Sequence, residues 1–163
     1  MAELRYGLAE GEGAGREVRL RPNIYLSRKG GHFVSLINST YGAVASLCAS
    51  GVGRVFGWLE APKHADGYDA WKGSATANTD KLFCIYADPE NVFAIPANEK
   101  SASVNASCIG KGAAILLSGT TYTIVQKAKV GGAITASPLF VVDFDKDIRT
   151  LYVKVKQTKR QAN

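Results

Sequence analysis

The side chains best equipped for chemistry are few. The chain has three cysteines, Cys48, Cys84 and Cys108, and two histidines, His32 and His64. No two cysteines are close enough for a C-x-x-C pair, and the histidines lie far apart in sequence. A structural zinc needs tight ligand pairs that converge on one ion, so no zinc site is read here. Cys48 and Cys84 sit in apolar company, Leu47-Cys48-Ala49 and Phe83-Cys84-Ile85. A free thiol in such a place behaves as a small hydrophobe. Three unpaired thiols imply folding in a reducing compartment such as a cytoplasm. A Cys/His nucleophile pair would have to be assembled in space, and nothing flanking these residues points to an activated thiol.

Other patterns come close to known chemistry and stop short. Asp143-Phe144-Asp145-Lys146-Asp147 begins like a calcium-binding EF-hand loop. The loop needs glycine at its sixth place and glutamate at its twelfth. Here those places hold Ile148 and Lys154. Phe144 between two carboxylates suits a strand that ends in a turn. No glycine run leads into Lys-Ser or Lys-Thr, so there is no Walker A phosphate cradle. Gly51-Val52-Gly53-Arg54-Val55-Phe56-Gly57 is one residue too long for the dinucleotide fingerprint, and no helix pattern follows it. Asn38-Ser39-Thr40 and Asn105-Ala106-Ser107 match the glycosylation tripeptide. The first fifteen residues lack the basic and apolar segments of a secretory signal, so those triplets carry no weight. The reading is therefore no enzyme, no cofactor and no metal.

Composition bounds the rest. A chain of 163 residues with 46% hydrophobic and 21% charged side chains suits one folded domain. No apolar run approaches the roughly 20 residues of a membrane-spanning helix. The net charge of +6 invites a nucleic-acid reading until its placement is followed. Residues 1–29 hold six basic and four acidic side chains, and residues 30–145 hold eight and nine. Residues 146–163 hold six basic side chains against Asp147 alone. The body is near neutral, and the excess lies at the ends. A folded nucleic-acid reader carries cations on its body among exposed aromatics. Charge at the ends fits docking arms and solubilising tails better.

The elements that would position these groups read as strands. Residues 1–15 look like a loose arm, because Gly11, Gly13 and Gly15 alternate with small or acidic residues. Val18 and Leu20 then alternate with Arg19 and Arg21, the period of a half-exposed strand. Pro22 confines that strand to an edge or an extended arm. Short apolar runs follow at 32–38, 43–49 and 54–60. A helix over 33–48 competes, since Phe33, Ile37, Tyr41, Val44 and Cys48 share one helical stripe. Asn38-Ser39-Thr40 and Gly42 break it in the middle, so strands are expected. Residues 61–79 read as a long polar loop, with Tyr68 and Trp71 conspicuous in it. Packing is the more common fate of such aromatics; partner contact is the other. Runs at 81–87 and 92–97 flank Asp88-Pro89-Glu90-Asn91, a type I turn by its chemistry, and read as a hairpin. Runs at 113–117 and 122–130 flank a second turn, with Tyr122, Ile124, Ala128 and Val130 on one face. Runs at 139–144 and 149–156 form a last hairpin, with Leu151, Val153 and Val155 facing inward. Short strands at regular spacing make an all-β fold, a small antiparallel β-barrel or sandwich. The division expected is an extended N-terminal arm over 1–29, a β-barrel domain over 30–157 and a basic C-terminal tail over 158–163.

An ordered series of elements resembles one family. These are Gly31-His32-Phe33-Val34-Ser35-Leu36, Val55-Phe56-Gly57-Trp58-Leu59, Ile85 to Ala97, Ile109 to Ile115, Gln126-Lys127-Ala128, Ser137 to Asp145, and Leu151 to Val155. Together they cover about residues 30–157. In order and spacing they are similar to the capsid decoration, or cement, proteins of tailed bacteriophages. The resemblance implies a structural virion protein on the capsid surface, folded in the host cytoplasm. It also implies as partners the major capsid protein and neighbouring copies of itself, as a homo-oligomer on the shell. Contact residues expected from the arm and the loop are Arg5, Arg16, Arg19, Arg21, Tyr68 and Trp71. Membrane binding is not expected and nucleic acid is disfavoured. The competing readings are a β-barrel binder of single-stranded nucleic acid, another virion component such as a head-completion or tail protein, and a small hydrolase or lyase using His32 and His64.

Overall fold

The computed structural model describes residues 6–27, 29–40, 42–50, 54–62, 70–119, 123–131 and 137–161. Among them are thirteen strands. They are β1 (Gly7–Glu10), β2 (Gly15–Arg19), β3 (Tyr25–Ser27), β4 (Gly31–Ser39), β5 (Gly42–Leu47), β6 (Gly57–Glu60) and β7 (Ala70–Lys72). The series continues with β8 (Lys81–Tyr86), β9 (Val92–Pro96), β10 (Gly112–Ser118), β11 (Val125–Val130), β12 (Leu139–Asp145) and β13 (Thr150–Val155). The helical content described is three single 3-10 turns, at Ser101–Ser103, Ala106–Cys108 and Gln157–Lys159. The fold is all-β, as the run-and-turn pattern predicts.

Two sheets carry the molecule. One has six strands in the order β1-β9-β13-β12-β10-β11, and the other five in the order β2-β8-β6-β4-β5. β3 and β7 form a small separate ribbon. Every pair of named strands is antiparallel. Both sheets curl toward closure through single parallel bridges. Leu20 meets Ala45, bringing the end of β2 to β5, and Ala97 meets Ala128 on β11.

The curling creates two cores. Phe33, Trp58 and Ile85 on one face of the five-stranded sheet pack against Phe93, Ile95, Leu139, Leu151 and Val153 of the other sheet. Phe33 lies edge-on to Trp58 at 4.8 Å and to Phe93 at 5.2 Å between ring centroids. The Trp58 indole N–H donates to Gly30 O at 3.1 Å, which satisfies its one polar group. The second core lies inside the curl of the five-stranded sheet, built from Val18, Leu20, Leu26, Val34, Phe56 and Leu59 among others. That sheet is therefore buried on both faces. A strand covered on both faces reads as a continuous apolar run rather than an alternation. Phe33-Val34, Trp58-Leu59 and Cys84-Ile85 are such runs, and each pair sends one side chain to each core.

Four expectations need correction. The arm read over 1–29 is, from residue 7 onward, part of the sheets: β1 pairs with β9 and β2 with β8. Val18 and Leu20 are buried in the small core. Gly15 serves close approach here, since a Cβ on it would collide with the Cys84 carbonyl. β2 is nonetheless an edge strand, as Pro22 requires. The tail read over 158–163 is tied down as far as Gln161, whose N–H donates to Val55 O at 2.8 Å. The long loop read over 61–79 contains β7, paired with β3. Finally, the hairpin read over 81–97 is a turn between sheets. Asn91 N–H donates to Asp88 O at 3.0 Å, closing the turn, but β8 and β9 join different sheets. A type I turn splays its flanking strands rather than matching their twist, so the correct turn carried the wrong pairing. The last hairpin does form, β12 against β13, with a register shift between Val141 and Asp143. β10 and β11 also pair across their turn.

Candidate contact surface

The reactive groups are consumed inside. All three cysteines are free and buried. Burial pushes the thiols of Cys48 and Cys84 up to about 12, far from the thiolate form a nucleophile needs. Cys108 donates to Ser103 O at 3.3 Å. His32 is buried in β4, and its Nε2 accepts the Ser27 N–H at 2.8 Å. Burial lowers its pKa to about 4, and protonating Nε2 would also set two donors against each other. The imidazole is therefore neutral and committed to the backbone. His64 lies outside the described residues. In the Asp143–Asp147 segment, Asp145 Oδ1 accepts from the N–H of Asp147 at 2.9 Å, holding the turn. Among the described residues no group of three or more His, Cys, Asp or Glu side chains converges on a metal position.

The exposed chemistry lies along β2. Arg16, Glu17, Arg19 and Arg21 are exposed, whereas Val18 and Leu20 point into the small core. Arg16 shares their inward side but sits at the mouth, its guanidinium carbon 5.3 Å from the Phe56 ring centroid. Arg19 lies directly opposite Lys81 of β8 in the ladder. Like charges facing each other across a sheet destabilise it. Among the described residues no carboxylate pairs with either cation.

Beside β2 the five-stranded sheet fails to close. Leu20 N–H donates toward β8, to Asp80 O at 3.1 Å, and Arg21 N–H donates toward β5, to Ala45 O at 3.2 Å. Backbone groups of successive strand residues point to opposite sides. Glu17 and Arg19 therefore face the same side as Arg21, toward β5. By the same alternation Ala43 faces β2, as Ala45 does. Beyond the Leu20–Ala45 bridge the two strands do not pair, and a groove of about 390 Å³ opens between them. Val18, Leu36 and Ala43 line it with apolar surface, and Arg16, Arg19 and Lys81 bring cations to it.

The expected contact residues thus divide. Arg16 and Arg19 line this groove and Arg21 closes its end. Trp71 lies apart on β7, half-buried against the small core, which is the packing outcome. Arg5 and Tyr68 lie outside the described residues. Sequence reasoning missed Lys81, Leu36 and Ala43, because only strand pairing brings them to β2. Three of the C-terminal cations are engaged or buried. Arg160 pairs with Asp88 at 3.6 Å, Arg149 donates to Glu99 O at 2.7 Å, and Lys156 Nζ is buried. Burial lowers the Lys156 pKa, with Lys159 nearby adding to the effect.

Two glutamines, also missed, tie other parts of the chain to β4. Gln126 on β11 accepts from Phe33 N–H at 2.7 Å and donates to Phe33 O at 3.0 Å and Cys48 O at 2.9 Å. Gln161 accepts from Leu36 N–H and donates to Leu36 O, both at 2.8 Å. Each amide makes the pair of bonds that a neighbouring strand would make to β4. Comparison with protein-family models, curated proteins and solved structures finds no match to this chain.

Proposed function

We propose that this chain is a structural virion protein, a capsid decoration protein that docks on the outer face of a major capsid protein lattice beside copies of itself. The observation that carries the reading is the division of its chemistry. The thiols and the described histidine are spent inside, while the surface offers unpaired cations and an open strand edge. A cement protein performs no reaction; it needs a rigid body with docking surface, and repetition on a shell multiplies modest contacts. The family resemblance of residues 30–157 supports the same role. On this reading Arg16, Arg19 and Arg21 are shell contacts.

The test is co-sedimentation with purified phage heads built from the matching major capsid protein. The wild-type chain should pellet with heads at saturable occupancy. The Arg16→Glu/Arg19→Glu double variant should bind at least tenfold more weakly. A chain that stays in the supernatant at low salt would overturn the proposal.

A further inference from the structure

We propose that the groove between β2 and β5 takes an extended acidic segment of a partner protein, which adds to the β2 edge as a strand. The inference rests on the reading that this face is the contact face, and it names the chemistry of what is bound.

Three observations converge. The first is the open ladder. Glu17 presents its N–H and C=O toward β5, and Ala43 presents its own toward β2, and among the described residues no strand pairs with either on that side. Unpaired edges are the template for strand addition, in which main-chain bonds supply affinity and alternate side chains supply specificity. The second is the lining. Leu36 and Ala43, over the buried Val18, offer an apolar strip to every second side chain of an incoming strand. A groove of about 390 Å³ falls within the range of binding clefts. The third is charge. Arg19 and Lys81 face each other on the outer side of the β2–β8 ladder, and among the described residues no carboxylate pairs with either. An acidic side chain of the added strand would lie beside that pair and relieve its repulsion. The open N–H and C=O of Glu17 favour a peptide, whose backbone can pair with both, over a phosphate chain, which offers no amide donor to the carbonyl.

The opposed cations separate binding from folding. In Arg19→Glu the ladder gains an opposite-charge pair with Lys81, so the fold should become more stable while the groove loses its attraction for acid.

The experiment is fluorescence anisotropy on the full chain with a labelled, end-blocked octapeptide alternating glutamate and valine. It should bind saturably, and at least tenfold more weakly in high salt. The lysine–valine counterpart and a version with proline at a central valine should not bind. Arg19→Glu should weaken binding at least tenfold with a thermal midpoint unchanged or raised; Lys81→Glu should do the same. Equal binding of the acidic and basic peptides would overturn the inference, as would full affinity in both variants. So would Arg19-dependent binding of an oligothymidine in place of the acidic peptide. No capsid protein enters the assay, so its failure is distinct from a failure to co-sediment with heads.

Discussion

His32 couples the fold to pH. Its imidazole is neutral because burial holds its pKa at about 4, whereas in the unfolded chain it returns to about 6.5. The unfolded state therefore binds the proton more readily between those values. Stability from this group is complete above pH 6.5 and is lost progressively as the pH falls to 4, by about 3 kcal/mol. Urea midpoints across this range should fall accordingly, and the His32 ring resonances should not titrate in the native protein until near pH 4. A native His32 that titrates near 6.5 would contradict the burial described. Gln126 allows a second residue-scale prediction. Gln126→Leu keeps the apolar surroundings but strands Phe33 N–H, which the amide satisfies. It should cost about 3 kcal/mol in denaturant unfolding, in line with orphaning buried backbone groups. Neither residue announced this role in sequence. Alternation puts Gln126 on the inward face of its strand with Ala128, but nothing in the sequence shows that its amide meets the backbone of β4 there.

At the scale of elements, β2 carries the sharpest difference between a loose arm and a woven strand. Leu20→Ala removes a buried side chain from the small core and should cost about 3 kcal/mol. A loose arm would tolerate the change with no shift in the thermal midpoint. The strands themselves were legible because β-branched and aromatic runs between turn residues have few alternatives. The final hairpin was legible down to its inward face of Leu151, Val153 and Val155. Pairing was legible only where a short turn joins partners within one sheet. Asp88-Pro89-Glu90-Asn91 has turn chemistry that holds whether the next strand stays or crosses over, so it could not reveal the change of sheet. β1 was hidden because Gly7, Leu8, Ala9 and Glu10 have little intrinsic strand preference and depend on β9 for their order. The groove was hidden for the same reason, since β2, β5 and β8 come together only through pairing.

For the whole molecule, the shared five-stranded sheet sets the cooperativity. Each of β4, β6 and β8 contributes to both cores, so neither core can empty without exposing the other. Thermal unfolding should be one transition, with calorimetric and van't Hoff enthalpies equal and with Trp58 fluorescence and far-ultraviolet dichroism coincident. Two separated transitions would mean that the cores melt independently. The charge of the whole chain changes meaning in the same way. Of the cations behind its +6 excess, Arg160 is in an ion pair, Arg149 holds a backbone carbonyl, the Lys156 Nζ is buried, and Arg16, Arg19 and Lys81 lie beside one groove.

The clasp of Gln161 on Leu36 has a consequence for synthesis. The two residues are separated by 125 positions. At roughly 5–20 residues per second, the ribosome leaves that stretch of β4 uncapped for roughly 6–25 s after it emerges. Phe33 waits for Gln126 in the same way. A nascent chain with an uncapped, two-sided apolar strand invites association with its neighbours on a polysome. Slower translation lengthens that exposure, and chaperone capacity should govern the soluble yield more than the stability of the finished fold.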